Sequence, residues 1–308
     1  MEQGIMGLAP ETVEKTLVAA EKSAETSAEE PGVTVLGPPR GWQLINFREL
    51  WQFRDLLYFL TWRDVKIRYK QTVLGAAWAV LQPALMMVVF TIFFGRLAAV
   101  DTGDVPYPLF VYAGLLPWTF FATAIGNGGN SVVGSERLIT KIYFPRLAIP
   151  FAAVGAAMVD FAVAFALMVL LMLAYGVMPT AALLLVPVIF FLILLAATGV
   201  GTLLAALNVA YRDFRYVIPF LVQLWMFATP SIYLDLDSMP AEKFSSPFVQ
   251  TLLFANPMTD LIAAFRAALL GGPIPWEMLL YAAPLCLVVF LLGCLYFRKV
   301  EDTFADVI

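Results

Sequence analysis

Two halves of different character make up Asp55-Leu-Leu-Tyr-Phe-Leu-Thr-Trp-Arg-Asp-Val-Lys-Ile-Arg-Tyr-Lys-Gln-Thr-Val-Leu-Gly-Ala-Ala-Trp-Ala-Val-Leu-Gln-Pro83, the stretch that decides the fold. The first half alternates charged residues with aromatic and aliphatic ones, and the second half turns apolar and stays so through Phe94. On a helix, at about 100° per residue, the first half places its apolar residues on two opposite stripes. One stripe holds Tyr58, Trp62, Val65 and Tyr69, and the other holds Leu56, Leu60 and Ile67.

Charged residues occupy the flanks between these two stripes. Arg63, Lys66 and Lys70 lie on one flank, and Asp64 and Arg68 lie on the other. A soluble surface helix needs only one apolar stripe, so this arrangement favours a helix in the membrane interface, with a partner on one side. The alternative is an ordinary juxtamembrane helix that follows the positive-inside rule.

Composition places the chain in the membrane. The sequence is 61% hydrophobic with a mean hydropathy of +0.83, which exceeds the about 45–50% apolar content of soluble domains. The absence of histidine from the sequence excludes histidine-based catalysis and histidine metal sites. Cys286 and Cys294 lie eight residues apart in one apolar segment, about 12 Å on a helix, so we expect packing residues rather than a disulfide.

Four regions follow from the distribution of charge and apolar residues. Residues 1–40 are acidic and lack the apolar core of a signal peptide, so they are predicted to form a disordered cytoplasmic tail and linker. Residues 41–72 are predicted to contain the amphipathic interface helix, residues 73–300 a transmembrane domain, and residues 301–308 a short cytoplasmic tail.

Six apolar segments are long enough to cross a hydrocarbon core, which needs roughly 20 residues per helix. Pro117 and the run from Gly126 to Asn130 are expected to interrupt the second segment, and a long polar excursion, Leu234–Pro275, separates the last two. The predicted spans are Val73–Gly95, Tyr107–Gly134, Leu147–Tyr175, Ala181–Leu207, Val217–Tyr233 and Met278–Phe297.

Positive charge predicts the orientation of these spans. Arginine and lysine concentrate before the first span, in the loops at 135–146 and 208–216, and after the sixth span. Because cations mark cytoplasmic loops, both termini and these two loops are expected on the cytoplasmic side. The loop at 135–146 is also expected to form a short charged helix that docks on a cytoplasmic partner, or else a plain connection.

Asp160 is a lone carboxylate in the middle of the third span. A charged group at that depth indicates either a functional site or a protonated, hydrogen-bonded residue that packs against another helix. The second interpretation is favoured here, because none of the spans carries a cation at a matching depth.

Aromatic residues cluster near the outer ends of the second and fifth spans. They are either an interfacial belt or platforms on which sugar rings stack along a substrate path. The candidate path residues are Tyr112, Trp118, Phe121, Trp225, Phe227 and Tyr233.

Four motifs occur in order along the sequence. The first is Arg68-Tyr-Lys-Gln-Thr-Val-Leu-Gly75, with Trp78 and Leu81-Gln-Pro83. The others are Leu138-Ile-Thr-Lys-Ile-Tyr-Phe-Pro-Arg146 with Pro150, Tyr211-Arg-Asp-Phe214 and Asn256-Pro257. Together they resemble the first-span signature, the two cytoplasmic loops and the last outer segment of a known family, the membrane subunits of polysaccharide-exporting ABC transporters. The resemblance covers roughly residues 45–300.

The resemblance implies an all-α half-transporter with six transmembrane helices. Its interface helix would be Leu56–Lys70, its coupling helix Ser135–Tyr143, and its outer re-entrant gate helices would lie within Leu234–Leu270. Two copies would pair as a homodimer, and each would dock one ATP-binding subunit. Residues implied in ATPase coupling are Trp62, Arg63, Lys66, Arg68, Glu136, Arg137, Leu138, Lys141, Arg212 and Asp213.

The predicted function is export of a lipid-linked, O-antigen-like polysaccharide across the bacterial inner membrane. No stretch of sequence matches the P-loop pattern G-x-x-x-x-G-K-[ST], so ATP and Mg²⁺ are expected on the partner subunit and no cofactor or catalytic residue in this chain. Membrane lipids are expected partners, and nucleic acid is not. Alternatives are teichoic acid or capsule export, a multidrug exporter subunit, and a membrane glycosyltransferase.

Overall fold

The computed structural model describes residues 47–70, 77–98, 100, 102–103, 105–141, 144–234 and 255–304, and most of these residues are helical. No strand occurs within these ranges, and all of them belong to one compact unit, Gly41–Ile308. The predicted tail and linker at 1–40 lie outside the described residues. The helices are α1 Phe47–Gln52, α2 Arg54–Lys70, α3 Ala77–Phe90, α4 Tyr107–Ser131, α5 Glu136–Ile139, α6 Ala148–Ala174, α7 Val186–Ala210, α8 Phe214–Phe227, α9 Pro257–Leu270 and α10 Trp276–Val300.

Five helical segments are long and apolar enough to cross a membrane: Ala77–Leu97, Tyr107–Ser131, Ala148–Ala174, Ala181–Ala210 and Trp276–Thr303. The fold is therefore the predicted all-helical membrane fold. The fifth predicted span differs, because α8 ends at Phe227 and a 3₁₀ turn at Pro230–Ile232 redirects the chain. Its 14 residues reach about 21 Å, less than the about 30 Å hydrocarbon thickness.

Helix α4 is the centre of the bundle, and 78% of its most apolar 18-residue stretch is buried. The expectation that Pro117 and the glycine run interrupt this span is wrong, since α4 is continuous from Tyr107 to Ser131. Side chains donate hydrogen bonds to the helix carbonyls near both features. The Thr119 hydroxyl donates to Leu115 O at 2.9 Å, and Asn130 Nδ2 donates to Gly126 O at 2.8 Å.

Two glycines of the α4 run allow its close approach to other helices. A Cβ on Gly128 would lie 3.2 Å from Gly201 Cα in α7, and a Cβ on Gly129 would lie 2.8 Å from Ile218 Cδ1 in α8. Small residues bring the backbones of membrane helices together in this way. The glycine run is thus a packing surface rather than a break.

Helices α7 and α10 cross at a second close contact between glycines. A Cβ on Gly199 would lie 2.5 Å from Phe290 Cα, and a Cβ on Gly293 would overlap the Gly199 carbonyl oxygen. Neither backbone has a flexible side chain to move aside at this point. The crossing therefore fixes the position of the last span against the fourth.

Helix α9 belongs to the core, although its sequence lies within the predicted polar excursion. It packs against α4, α7 and α10, and residues from Pro257 to Ile262 are all buried. Asn256 caps it by accepting a hydrogen bond from Met258 N, and Gly271 ends it with a φ of 80°. Arg266 donates to Ser231 O at 2.8 Å and lies 3.7 Å from the Phe110 ring centroid.

Candidate functional site

The buried face of α2 packs against α6. Leu60 and Val65 are buried there, although they were assigned to opposite stripes, and Tyr58 and Ile67 are 71% and 69% exposed. The predicted assignment of residues to two separate apolar stripes is therefore wrong, because the one buried face of α2 contains residues from both stripes. Gly155 of α6 makes room for it, because a Cβ there would lie 3.2 Å from Thr61 Oγ1.

Asp160 of α6 has a cationic partner from outside the spans. Arg68 Nη1 donates to Asp160 Oδ2, and the Tyr69 hydroxyl donates to Asp160 Oδ1. The side chains of Arg68 and Asp160 are 32% and 19% exposed. The sequence analysis compared only cations within the spans, and Arg68 comes from the end of α2, outside them.

A cavity of about 600 Å³ opens beside this ion pair, between α2, α3, α4 and α6. Arg68, Tyr69 and Asp160 line it together with three aromatic side chains and four polar ones. Asn127 contributes a buried Nδ2 that has no hydrogen-bond partner among the described residues. The aromatic residues are Trp78, Phe120 and Phe161, and the polar ones are Gln82, Thr119, Thr123 and Asn127.

The two predicted coupling loops lie at the same end of the bundle, which we call the basic end. Asn208, near the end of α7, donates from Nδ2 to Gly129 O at 2.9 Å and to Asn130 Oδ1 at 3.1 Å, near the end of α4. The segments that follow these helices are therefore neighbours. Arg212 and Asp213 are exposed in the second of them.

The coupling helix is shorter than the predicted Ser135–Tyr143. Helix α5 runs from Glu136 to Ile139, Thr140 follows as a turn, and residues 142–143 lie outside the described residues. Buried Ile139 anchors the segment in an apolar cluster with Leu60 of α2 and Phe297 of α10. Glu136, Arg137 and Lys141 are exposed, and Leu138 is half-buried.

A charged network joins further elements at the basic end. Arg298 of α10 contacts Glu301 at 3.0 Å and Glu49 of α1 at 3.9 Å. Arg146, just before α6, donates to the Glu301 carbonyl oxygen. The N-terminal helices, the first coupling loop and the end of the last span are thus held together.

The coupling candidates of α2 differ in exposure. Trp62 is 52% exposed and Lys66 is exposed, whereas Arg63 pairs with the neighbouring Asp64 at 2.8 Å. Arg68 turns toward the bundle and binds Asp160. The role of all four in coupling stays a prediction.

Three of the aromatic path candidates lie in the core of the chain. Tyr112, Trp118 and Phe121 are buried, and the Tyr112 hydroxyl donates to Ala164 O. Trp225 is half-buried, and its Nε1 donates to Asn256 Oδ1 at 2.9 Å. The structure thus gives these four side chains intramolecular contacts, and their role in a substrate path stays a prediction.

The other two aromatic candidates lie around the end of α8. Phe227 is 58% exposed. Tyr233 is half-buried, with its ring centroid 5.6 Å from that of Phe90 and 5.0 Å from that of Phe94. Phe227 is the most accessible of the candidates to a ligand.

Comparison with known proteins gives a consistent result. Residues 55–270 match the family model described as ABC-2 type transporter. The chain is 33% identical over 262 residues to the O-antigen export system permease protein RfbA of Myxococcus xanthus, which covers 84% of this chain and 97% of that protein. A Klebsiella pneumoniae protein of the same name is 27% identical, over 82% of this chain and 95% of the relative. The polysialic acid transport protein KpsM of Escherichia coli is 22% identical, over 78% and 91%.

Proposed function

This chain belongs to the ABC-2 type transporter family, and from that premise we propose that it is the transmembrane subunit of an ATP-driven exporter of a lipid-linked polysaccharide. Its homology to O-antigen export permeases makes it a transport component of a bacterial ABC system rather than an enzyme. To the family assignment, the proposal adds ATP as the energy source, a lipid-linked substrate, assembly as a homodimer and export as the direction of transport.

The contact between α2 and Asp160 is the observation that supports the proposed mechanism. The interface helix α2 is bound through Arg68 to Asp160, which lies inside a membrane-spanning helix, and the charged coupling segments lie at the basic end of the same bundle. Movement of a docked ATP-binding subunit against α2 would therefore reach the interior of the transmembrane domain. In the proposed cycle, ATP closes a pair of such subunits and the two transmembrane halves separate around the glycan.

Capsule export is the second candidate, because a polysialic acid transport protein is among the relatives. The O-antigen relatives are more similar to this chain, so we propose an O-antigen-like substrate first. A membrane glycosyltransferase is disfavoured, since Asp160 is bound by Arg68 and Tyr69 rather than paired with a second carboxylate.

Glu136→Ala combined with Arg137→Ala should weaken docking of the ATP-binding subunit. These two exposed charges lie at the proposed docking surface, and we expect about tenfold weaker binding, equal to about 1.4 kcal/mol, with a matching loss of ATPase stimulation. Titration of the purified partner against reconstituted permease measures both. Arg96→Ala with Glu277→Ala removes one exposed charge of each sign at the opposite end and is the matched control. Equal coupling in both double variants would contradict the docking assignment.

Labelling of single cysteines should establish the orientation of the bundle. In a Cys286→Ala and Cys294→Ala background, Thr102→Cys should react with a membrane-impermeant maleimide in intact cells, whereas Asp213→Cys should react only after permeabilisation. The reason is that cation-rich loops remain on the cytoplasmic side. Reaction of Asp213→Cys in intact cells would reverse the proposed topology.

A further inference from the structure

The cavity beside the Arg68–Asp160 pair has the size and depth of a ligand site within the bundle. Its volume of about 600 Å³ falls in the ~300–1,000 Å³ range of small-molecule sites. Thr119, Thr123 and Asn127 line it at every fourth residue of α4, so they form one polar face. Because α4 ends at Ser131, this face begins roughly 6 Å from the basic end and reaches about 18 Å into the bundle.

The charge of the cavity favours an uncharged ligand. Arg68 is neutralised by Asp160, so the wall offers donors and acceptors without a net charge. A diphosphate would require unpaired cations, and it would meet the Asp160 carboxylate inside the membrane. A ligand with many hydroxyl groups suits this lining better, because each hydroxyl both donates and accepts.

One donor inside the cavity lacks a partner among the residues that the structure describes. Asn127 Nδ2 is buried, and no described residue accepts a hydrogen bond from it. Buried polar groups are nearly always satisfied by protein, water or ligand. A ligand hydroxyl at this point of the wall would satisfy the amide.

Aromatic rings form part of the remaining wall, together with Pro83 and three alanines. Trp78 lines the cavity and is 54% exposed overall, while Phe120 is 3% exposed and its ring centroid lies 5.7 Å from that of Phe161. The electron-rich face of an aromatic ring attracts the polarised C–H groups of a sugar ring. A lining that combines amides, hydroxyls and a balanced ion pair with aromatic rings is typical of a carbohydrate site.

We propose that this cavity binds one glycosyl unit of the exported polysaccharide. The proposal rests on the polysaccharide export function proposed above, and it adds a location and a ligand chemistry. The site lies within one chain, between the interface helix and the first three spans, apart from the aromatic residues near the end of α8. Because Arg68 and Tyr69 belong to α2, movement of the interface helix would change the affinity of the cavity for the sugar.

Protection of a thiol tests this site in the complete complex of this chain with its ATP-binding subunit. Thr123→Cys, in the background of Cys286→Ala and Cys294→Ala, places the reporter on the cavity wall. The probes are the methyl α-glycosides of glucose, galactose, mannose and rhamnose, with inorganic pyrophosphate as the charged alternative and glycerol as the solvent control. At ~100 mM, a glycoside with a Kd of ~50 mM occupies about two thirds of the sites and should slow maleimide labelling about threefold.

Two variants assign the protection to the cavity. Asn127→Leu removes the amide at nearly constant size, and Trp78→Ala removes the exposed aromatic wall; each should abolish protection. If one of them fails to assemble, the other decides the result. Gln223→Leu removes an exposed amide of α8 outside the cavity and should retain full protection. Protection by none of the glycosides, protection by pyrophosphate alone, or protection that survives the cavity variants would overturn the proposal.

A parallel measurement of glycan export to the cell surface by the wild-type complex distinguishes failure of the glycosyl site from failure of the proposed export function. Export without glycoside protection would remove the glycosyl site and leave the exporter function standing. Absence of glycan export would remove the proposed function itself, and glycoside binding would then have another purpose.

Discussion

Gly293→Ala should strongly lower the unfolding temperature of the folded protein. The added Cβ would overlap the Gly199 carbonyl oxygen and lie 2.8 Å from the Gly199 carbonyl carbon, so two helix backbones would have to separate. Overpacked cores lose about 1–3 kcal/mol when side chains can adjust, and a clash between backbones should cost at least the upper value. The measurement is the temperature at which the detergent-purified protein loses its monodisperse peak in size-exclusion chromatography.

Gly126→Ala is the matched control, because nothing lies within 4 Å of the Cβ that it adds to α4. This variant should unfold at or slightly above the wild-type temperature, since alanine is favoured over glycine in helices by roughly 0.5–1 kcal/mol. A wild-type unfolding temperature for Gly293→Ala would contradict the crossing of α7 and α10 described above.

Asp160→Ala should destabilise the transmembrane domain and uncouple α2 from it. Loss of one partner from a buried ion pair costs about 3–5 kcal/mol, and solvent access to this pair lowers the expected cost to about 2 kcal/mol. Both the unfolding temperature and the ATPase stimulation per folded transporter should fall. Asp55→Ala, which removes a 96% exposed carboxylate 3.8 Å from Arg54, should change neither quantity.

The double variant Arg68→Leu with Asp160→Leu separates charge from packing. Replacing both partners by apolar residues leaves no uncompensated charge, so its stability should exceed that of either single leucine variant. We expect a coupling energy of about 1 kcal/mol or more from the double-mutant cycle. If the stability effects of the two single variants add without coupling, Arg68 and Asp160 do not interact as described.

Length and hydropathy were sufficient to predict five of the six spans, because a bilayer demands long apolar helices whatever their packing partners. They did not reveal that α8, in place of the predicted fifth span, ends after 14 residues. Helix α2 was also predictable, since its cations interrupt an otherwise apolar pattern, and its location in the membrane interface stays a prediction. The sequence did not reveal which face of this helix is buried. Leu60 and Val65 share the packing face because Gly155, far away in the sequence, leaves space for Thr61.

The partner of Asp160 could not be found by comparing spans. Arg68 is 92 residues away in sequence and belongs to a helix that sequence analysis placed in the membrane interface. The continuity of α4 was missed for a related reason. Glycines in a membrane helix either interrupt the helix or allow close packing against another helix, and the neighbouring helices determine which of the two occurs. Gly128 meets Gly201, a contact that hydropathy does not reveal. Burial of α9 likewise depends on three helices distant from it in sequence.

Reconstitution of the complete complex tests the central claim most directly. Proteoliposomes holding this chain and its ATP-binding subunit would be supplied with lipid-linked polysaccharide in the outer leaflet, and its oxidation by external, membrane-impermeant periodate would be followed over time. ATP added outside the vesicles reaches only those transporters whose ATP-binding sites face outward. These transporters should move the glycan from the outer leaflet into the lumen, and transporters of the opposite orientation do not contribute. We predict that protection from periodate requires both subunits and hydrolysable ATP, and that it is lost when a non-hydrolysable analogue replaces ATP. Protection by this chain alone, or none with both subunits and ATP, would contradict the account.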